Sequence, residues 1–204
     1  MEPKYKISED SQIVVTKSVG LSGTMKLYSI FKEELHSRYQ TRFLEPVSNY
    51  ADRLLYNKEY EVLKDFRWEL LVEASYGGIF NALFNLGYET GLGVVVDMKA
   101  LPITQATIEI SEYASVNPYQ LHSAGSMVIA ATNGVKLADC LNQVGVDASV
   151  VGYMTKDKAR IVRAHEGERF LVPVRQDELT KLIDEKEVKK EYPKTLVIKA
   201  FQEK

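Results

Sequence analysis

Residues 68–103, WELLVEASYGGIFNALFNLGYETGLGVVVDMKALPI, constrain the fold more than any other stretch of this chain. Leu70, Leu71 and Val72 make a short apolar run of the kind that forms a buried strand. The pair Gly77-Gly78 then opens a strongly apolar helix, with Ile79, Leu83 and Leu86 on one face and Phe80 and Phe84 beside them. Asn81, Asn85 and Glu89 form its polar stripe, Gly91 and Gly93 stop it, and Val94-Val95-Val96 begins a second strand. A strand, a Gly-Gly turn and a helix N-terminus gather backbone N–H groups in one place. Aimed outwards, they suit a phosphate or another anion. The same glycines also suit close helix–strand packing with nothing bound.

The rest of the chain repeats this alternation. Ile13-Val14-Val15 reads as a strand, and Gly20, Ser22, Gly23 and Thr24 lead into a helix with Leu27, Ile30, Phe31 and Leu35 inward. Ser22 or Thr24 can cap that helix, and its N-terminus is a second candidate anion junction. Residues 41–66 read as two helical pieces with Leu44, Val47, Leu54 and Leu55 inward. They are dense in tyrosine (Tyr39, Tyr50, Tyr56, Tyr60), suited to stacking on a ring ligand or to filling a core edge. Thr104 caps a helix that ends at Asn117-Pro118. A loop carrying His122, Ser123 and Gly125 then leads to a strand over residues 127–131. The next helix turns Leu137, Cys140, Leu141 and Val144 inward, and Gly145 closes it. Residues 146–154 give another strand, residues 160–171 a hairpin and residues 177–183 a short helix. The mixed-charge run 184–191 reads as a solvated linker, followed by the apolar, β-prone tail KTLVIKAF.

The expected fold class is therefore α+β with α/β-type layers, a mixed β-sheet with helices packed on its faces. The expected division is one domain over residues 1–183, then a charged linker and apolar tail over 184–204. The formal net charge of -2 argues against nucleic acid as a partner. No apolar run approaches the roughly 20 residues of a membrane span, so no membrane partner is expected. The only cysteine, Cys140, excludes an internal disulfide framework, and a cytoplasmic setting is the simplest expectation. His36, His122 and His165 lie on separate elements with no ligand spacing, so no metal site is expected. No Walker loop, dinucleotide fingerprint or nucleophile elbow occurs, and no catalytic residue is assigned.

The order TKSVGLSGT, EASYGGIFNAL, LPITQATIEISEYASVNPYQLHSAGSMVIAA, VVGYMT and RFLVPVRQDEL resembles the C-terminal domain of proteins related to aminoimidazole ribonucleotide (AIR) synthetase. This superfamily includes the hydrogenase-maturation dehydratase, selenophosphate synthetase and thiamine-monophosphate kinase. The resemblance covers about residues 12–181. It implies a mixed sheet with helices on both sides, dimeric pairing, and an N-terminal domain that supplies most of the nucleotide and magnesium ligands. The family's loop of aspartate, small residue, threonine, any residue and Gly-Gly matches Glu73, Ala74, Ser75, Tyr76, Gly77 and Gly78. Its later Ser-x-Gly matches Ser123-Ala124-Gly125. The phosphate- or nucleotide-binding candidates are thus Ser75, Gly77 and Gly78, with Ser22, Gly23, Ser123 and Gly125. The chain alone is expected to carry no cofactor; ATP and magnesium are implied once an AIR synthase-like N-terminal domain joins it. The function expected from the resemblance is that of a C-terminal half lending phosphate loops to an ATP-dependent site. The alternative is a non-catalytic ligand-binding or assembly module. A homodimer is expected, with residues 13–15, the tyrosine-rich region and the tail as candidate contact surfaces.

Overall fold

The computed structural model describes residues 7–191 and 198–200. The β-branched runs become strands of one sheet: β1 (Gln12–Thr16), β2 (Leu70–Glu73), β3 (Gly93–Asp97), β4 (Met127–Ala131), β5 (Ala148–Thr155), β6 (Arg160–Ala164), β7 (Gly167–Phe170) and β8 (Ile198–Ala200). Their spatial order is β7-β6-β3-β5-β1-β4-β2-β8. Neighbours run antiparallel except β3 and β6, which are parallel, so the sheet is mixed as expected.

Alternation along the central strands sends side chains to two separate cores. Ile13, Val15, Val72 and Val128 face α5 (Gly78–Thr90), which buries Ile79, Leu83 and Leu86 against them. Val14, Leu71 and Ile129 face the opposite side, under α4 (Asn57–Asp65) and α7 (Gly134–Gln143), meeting Leu63, Leu137 and Leu141. A third cluster lies beyond the sheet, among α1 (Leu21–Ile30), α2 (Lys32–Arg38), α3 (Thr41–Ser48) and α6 (Gln105–Tyr113). Its centre is Leu27, Leu44, Ile110 and Leu121, all without solvent exposure.

Several local readings change in three dimensions. Residues 13–15 offer no contact surface, because β1 lies between β4 and β5 and is buried on both faces. Residues 50–66 break earlier than their pattern indicates: a 3-10 turn, Tyr50–Leu54, precedes α4 and leaves Leu55 exposed. Val144 lies just past the end of α7 at Gln143 and is exposed, and Cys140 on α7 is only half-buried. The expected linker 184–191 is largely helical, as α8 (Glu185–Glu191), and Val188 is fully buried in the third cluster. Its one apolar side chain among charges is too weak a period to read in isolation. In the tail, β8 adds to β2 as an edge strand within the subunit, pairing Leu71 with Lys199. Residues 192–197 and 201–204 of that tail lie outside the described residues. Among the described residues, no helix is long and apolar enough to cross a membrane.

Candidate functional site at the glycine-pair junction

The three loops singled out in the sequence meet at one end of the sheet. Gly77 and Gly78 both have positive φ, 78° and 67°, so the chain turns sharply out of β2 and straight into α5. The 117–126 loop fills the space beside them. Phe80 N–H donates to Tyr119 O at 3.1 Å, and Ser123 N–H donates to Ser75 O at 3.2 Å. The start of α1 closes the junction: Gly20 N–H donates to Ser123 Oγ at 2.8 Å, and Gly23 N–H to His122 O at 3.0 Å. Ser22 Oγ lies 2.7 Å from His122 Nδ1. Ser22, Gly23, Ser75, Gly77, Gly78, Ser123 and Gly125 are thus brought together, although more than 100 residues separate the first from the last.

Most of their polar groups are turned inwards. Ser22 and Ser123 have no solvent exposure. Gly125 N–H donates to Tyr56 Oη at 3.0 Å. The Gly77 amide, read in the sequence as aimed outwards, donates instead to Asp177 Oδ2 at 2.7 Å. The same carboxylate accepts from Leu179 N–H at 3.0 Å and from the His122 amide. An internal anion therefore stands where the glycine pair would receive an external one. Neither Asp177 nor its role is visible locally, because it lies 100 residues after Gly77. The only signal is its position ahead of Glu178-Leu179, where it caps the 3-10 turn Glu178–Lys181.

Nor are α1 and its capping as expected. Gly20 in the left-handed region precedes the helix, and no side chain caps it. Thr24 Oγ1 instead donates back to Gly20 O at 2.7 Å. The dense tyrosines tie elements together: Tyr50 Oη contacts Thr104 Oγ1 at 2.7 Å, and Tyr60 Oη donates to Glu73 Oε1. Glu73, in the family's aspartate position, is thereby held by α4. Beside it, Lys17 in a left-handed turn (φ 57°) pairs with the buried Glu59 at 2.5 Å and donates to Leu55 O at 2.6 Å. Burial lowers the Lys17 pKa, against the pull of Glu59. Among the described residues no group of three or more His, Cys, Asp or Glu is placed to hold a metal ion, so these side chains do not by themselves fit magnesium.

Burial pushes the Asp177 carboxyl up to about 6, even though the Leu179, Gly77 and His122 amides favour its charged form. Burial also pushes His122 down to about 3, keeping the ring neutral. The two act oppositely on stability. Asp177, raised from 3.8, contributes stability that is present below pH 4 and lost as pH rises through about 6, by about 3 kcal/mol. His122, lowered from 6.5, contributes stability that is present above that value and lost as pH falls towards about 3. In Asp177→Asn only the first dependence disappears. Urea unfolding at pH 4 and pH 7 should show the variant gaining about 2 kcal/mol on the parent between the two. Parallel pH dependences in the two proteins would contradict this.

The comparisons with known proteins agree with this architecture. The family model described as "AIR synthase related protein, C-terminal domain" matches residues 8–165. The structure is similar to that of E. coli HypE, a hydrogenase maturation protein, at TM-score 0.67 and 18% identity, covering 90% of this chain and 56% of that one. A hydrogenase maturation protein HypE solved in complex with ATP gives TM-score 0.61 and 12% identity over 86% of this chain and 54% of that one. Thiamine-monophosphate kinase from Stenotrophomonas maltophilia gives 0.60 and 16%, over 79% and 52%. The chain thus spans about half the length of these structures. None of the curated proteins matches it. By its family model and its fold, the chain belongs to the AIR synthase related proteins, as their C-terminal domain.

Proposed function

We propose that the chain supplies the C-terminal half of an ATP-dependent site, completed by an AIR synthase-type N-terminal domain on the same or another polypeptide. The observation that carries this reading is the meeting of the glycine pair, the start of α1 and the Ser123–Gly125 loop at one end of the sheet. In the proposed assembly the N-terminal domain holds the metal and most of the nucleotide, while this junction forms the facing wall. Phosphoryl transfer depends on positioning and charge neutralisation. With no metal donor set among the described residues, the chain alone is expected to hydrolyse ATP only at background. Mixing it with a purified N-terminal domain of the same family should produce magnesium-dependent turnover that neither part shows alone. A stable complex of the two without turnover would count against the reading.

A second reading is that the fold persists as a non-catalytic binding or assembly module. The Asp177 carboxylate at the Gly77 amide favours it, because that donor is already engaged within the chain. The same mixing experiment separates the two: a module binds its partner and leaves ATP untouched.

A further inference from the structure

Next to the junction runs a groove of about 310 Å³ that the ATP reading does not use. Its size sits at the lower end of small-molecule sites. Phe80 and Tyr119 line it as a stacked pair, their ring centroids 5.2 Å apart and their planes within 12° of parallel. These rings are held from behind. Phe80 N–H donates to Tyr119 O, and Tyr119 N–H to Asn117 Oδ1 at 3.0 Å. The 117–120 turn is in turn fixed by Glu178, which accepts from Asn117 N–H at 2.8 Å. Phe170 and Val172, from β7 and the segment after it, also line the groove. They are 75% and 61% exposed, so large apolar surfaces stand in water there.

The charge of the groove is one-sided. Among the described residues its lining contains no Asp or Glu and one cation, Arg169. Arg169 makes a solvated ion pair with Glu166 at 2.8 Å, both side chains 73% exposed, an interaction of little net strength. A guanidinium held so weakly can turn to a carboxylate, phosphate or sulfonate and bind it with two parallel hydrogen bonds. Meanwhile burial raises the Tyr119 pKa, which keeps its hydroxyl protonated as a donor.

We propose that this groove binds a small planar aromatic or heteroaromatic anion, its ring against Phe80 and Tyr119 and its acidic group on Arg169. The inference does not rest on the ATP reading, since the groove is lined by residues of this chain alone. Ligand-observed NMR titrations on the full chain can test it with 2-naphthoate, its saturated counterpart decahydro-2-naphthoate, and neutral 2-naphthamide. The aromatic acid should bind about tenfold more tightly than the saturated one. Tyr119→Leu keeps an apolar side chain but removes the flat ring, and should weaken 2-naphthoate about tenfold. Arg169→Gln should weaken 2-naphthoate about fivefold and leave 2-naphthamide unchanged. Equal binding of the flat and saturated acids would overturn the proposal. So would an affinity for 2-naphthoate that neither variant alters, or no binding at millimolar concentration.

Discussion

Replacing Gly78 with valine is expected to cost about 4 kcal/mol of stability. Two effects add. The residue has φ +67°, a region that a β-branched side chain enters only under strain. A Cβ there would also lie 2.5 Å from Tyr119 O and 2.7 Å from Leu121 O. Both atoms belong to backbone that is hydrogen-bonded to α5 and to the Ser75 loop, so they cannot rotate aside. In sequence the position looks like a loop glycine whose substitution would merely block a ligand. In the structure it is where α5 and the 117–126 loop touch backbone to backbone. Chemical denaturation decides the matter: a valine variant within about 1 kcal/mol of the parent would mean that this contact is looser than described.

Glu59→Ala is expected to cost about 3–5 kcal/mol, because it leaves the Lys17 ammonium buried without its counter-ion. Lys17 and Glu59 side chains are only 8% and 1% exposed, so water does not substitute for the lost carboxylate. Lys17 would still donate to Leu55 O and sit 5.1 Å from the centre of the Tyr56 ring. The loss should be greatest near neutral pH. It should shrink as pH rises, since burial lowers the Lys17 pKa and deprotonation removes the stranded charge. The double variant Lys17→Met with Glu59→Leu should recover most of the stability at neutral pH. A single variant as stable as the parent, or a double variant no better than the single, would contradict this account of the pair.

What the sequence disclosed and what it hid follow from how far each cause reaches. The β2–Gly-Gly–α5–β3 unit is legible because all its signals are local: a β-branched run, two glycines, then Ile79, Leu83 and Leu86 at helical spacing. Thr104 is legible for the same reason, and its hydroxyl does accept from Thr107 N–H at 3.1 Å. The three loops that meet at the junction are each legible locally, but the direction in which their polar groups face is not. Whether the Gly77 amide faces water depends on Asp177, and no periodicity links two positions so far apart. The helix α8 is not legible because one valine among charges carries no pattern, although its burial depends only on what lies beneath it. The central place of β1 was equally hidden, since an apolar strand reads the same at the edge of a sheet as at its centre.

That central place has a consequence for how the chain must be made. Gln12 pairs with Ala131 on one side and Tyr153 on the other, so β1 waits for partners that follow it by well over a hundred residues. At translation speeds of about 5–20 residues per second, the wait lasts on the order of ten seconds. Throughout it, a strand of valine and isoleucine stands with both hydrogen-bonding edges open, the condition in which strands join the wrong neighbour. The contacts that close the sheet are among the longest in the chain, which places folding towards the slow end for a protein of this size. Aggregation during synthesis, more than unfolding of the finished protein, is then the hazard against which this sequence has to be balanced.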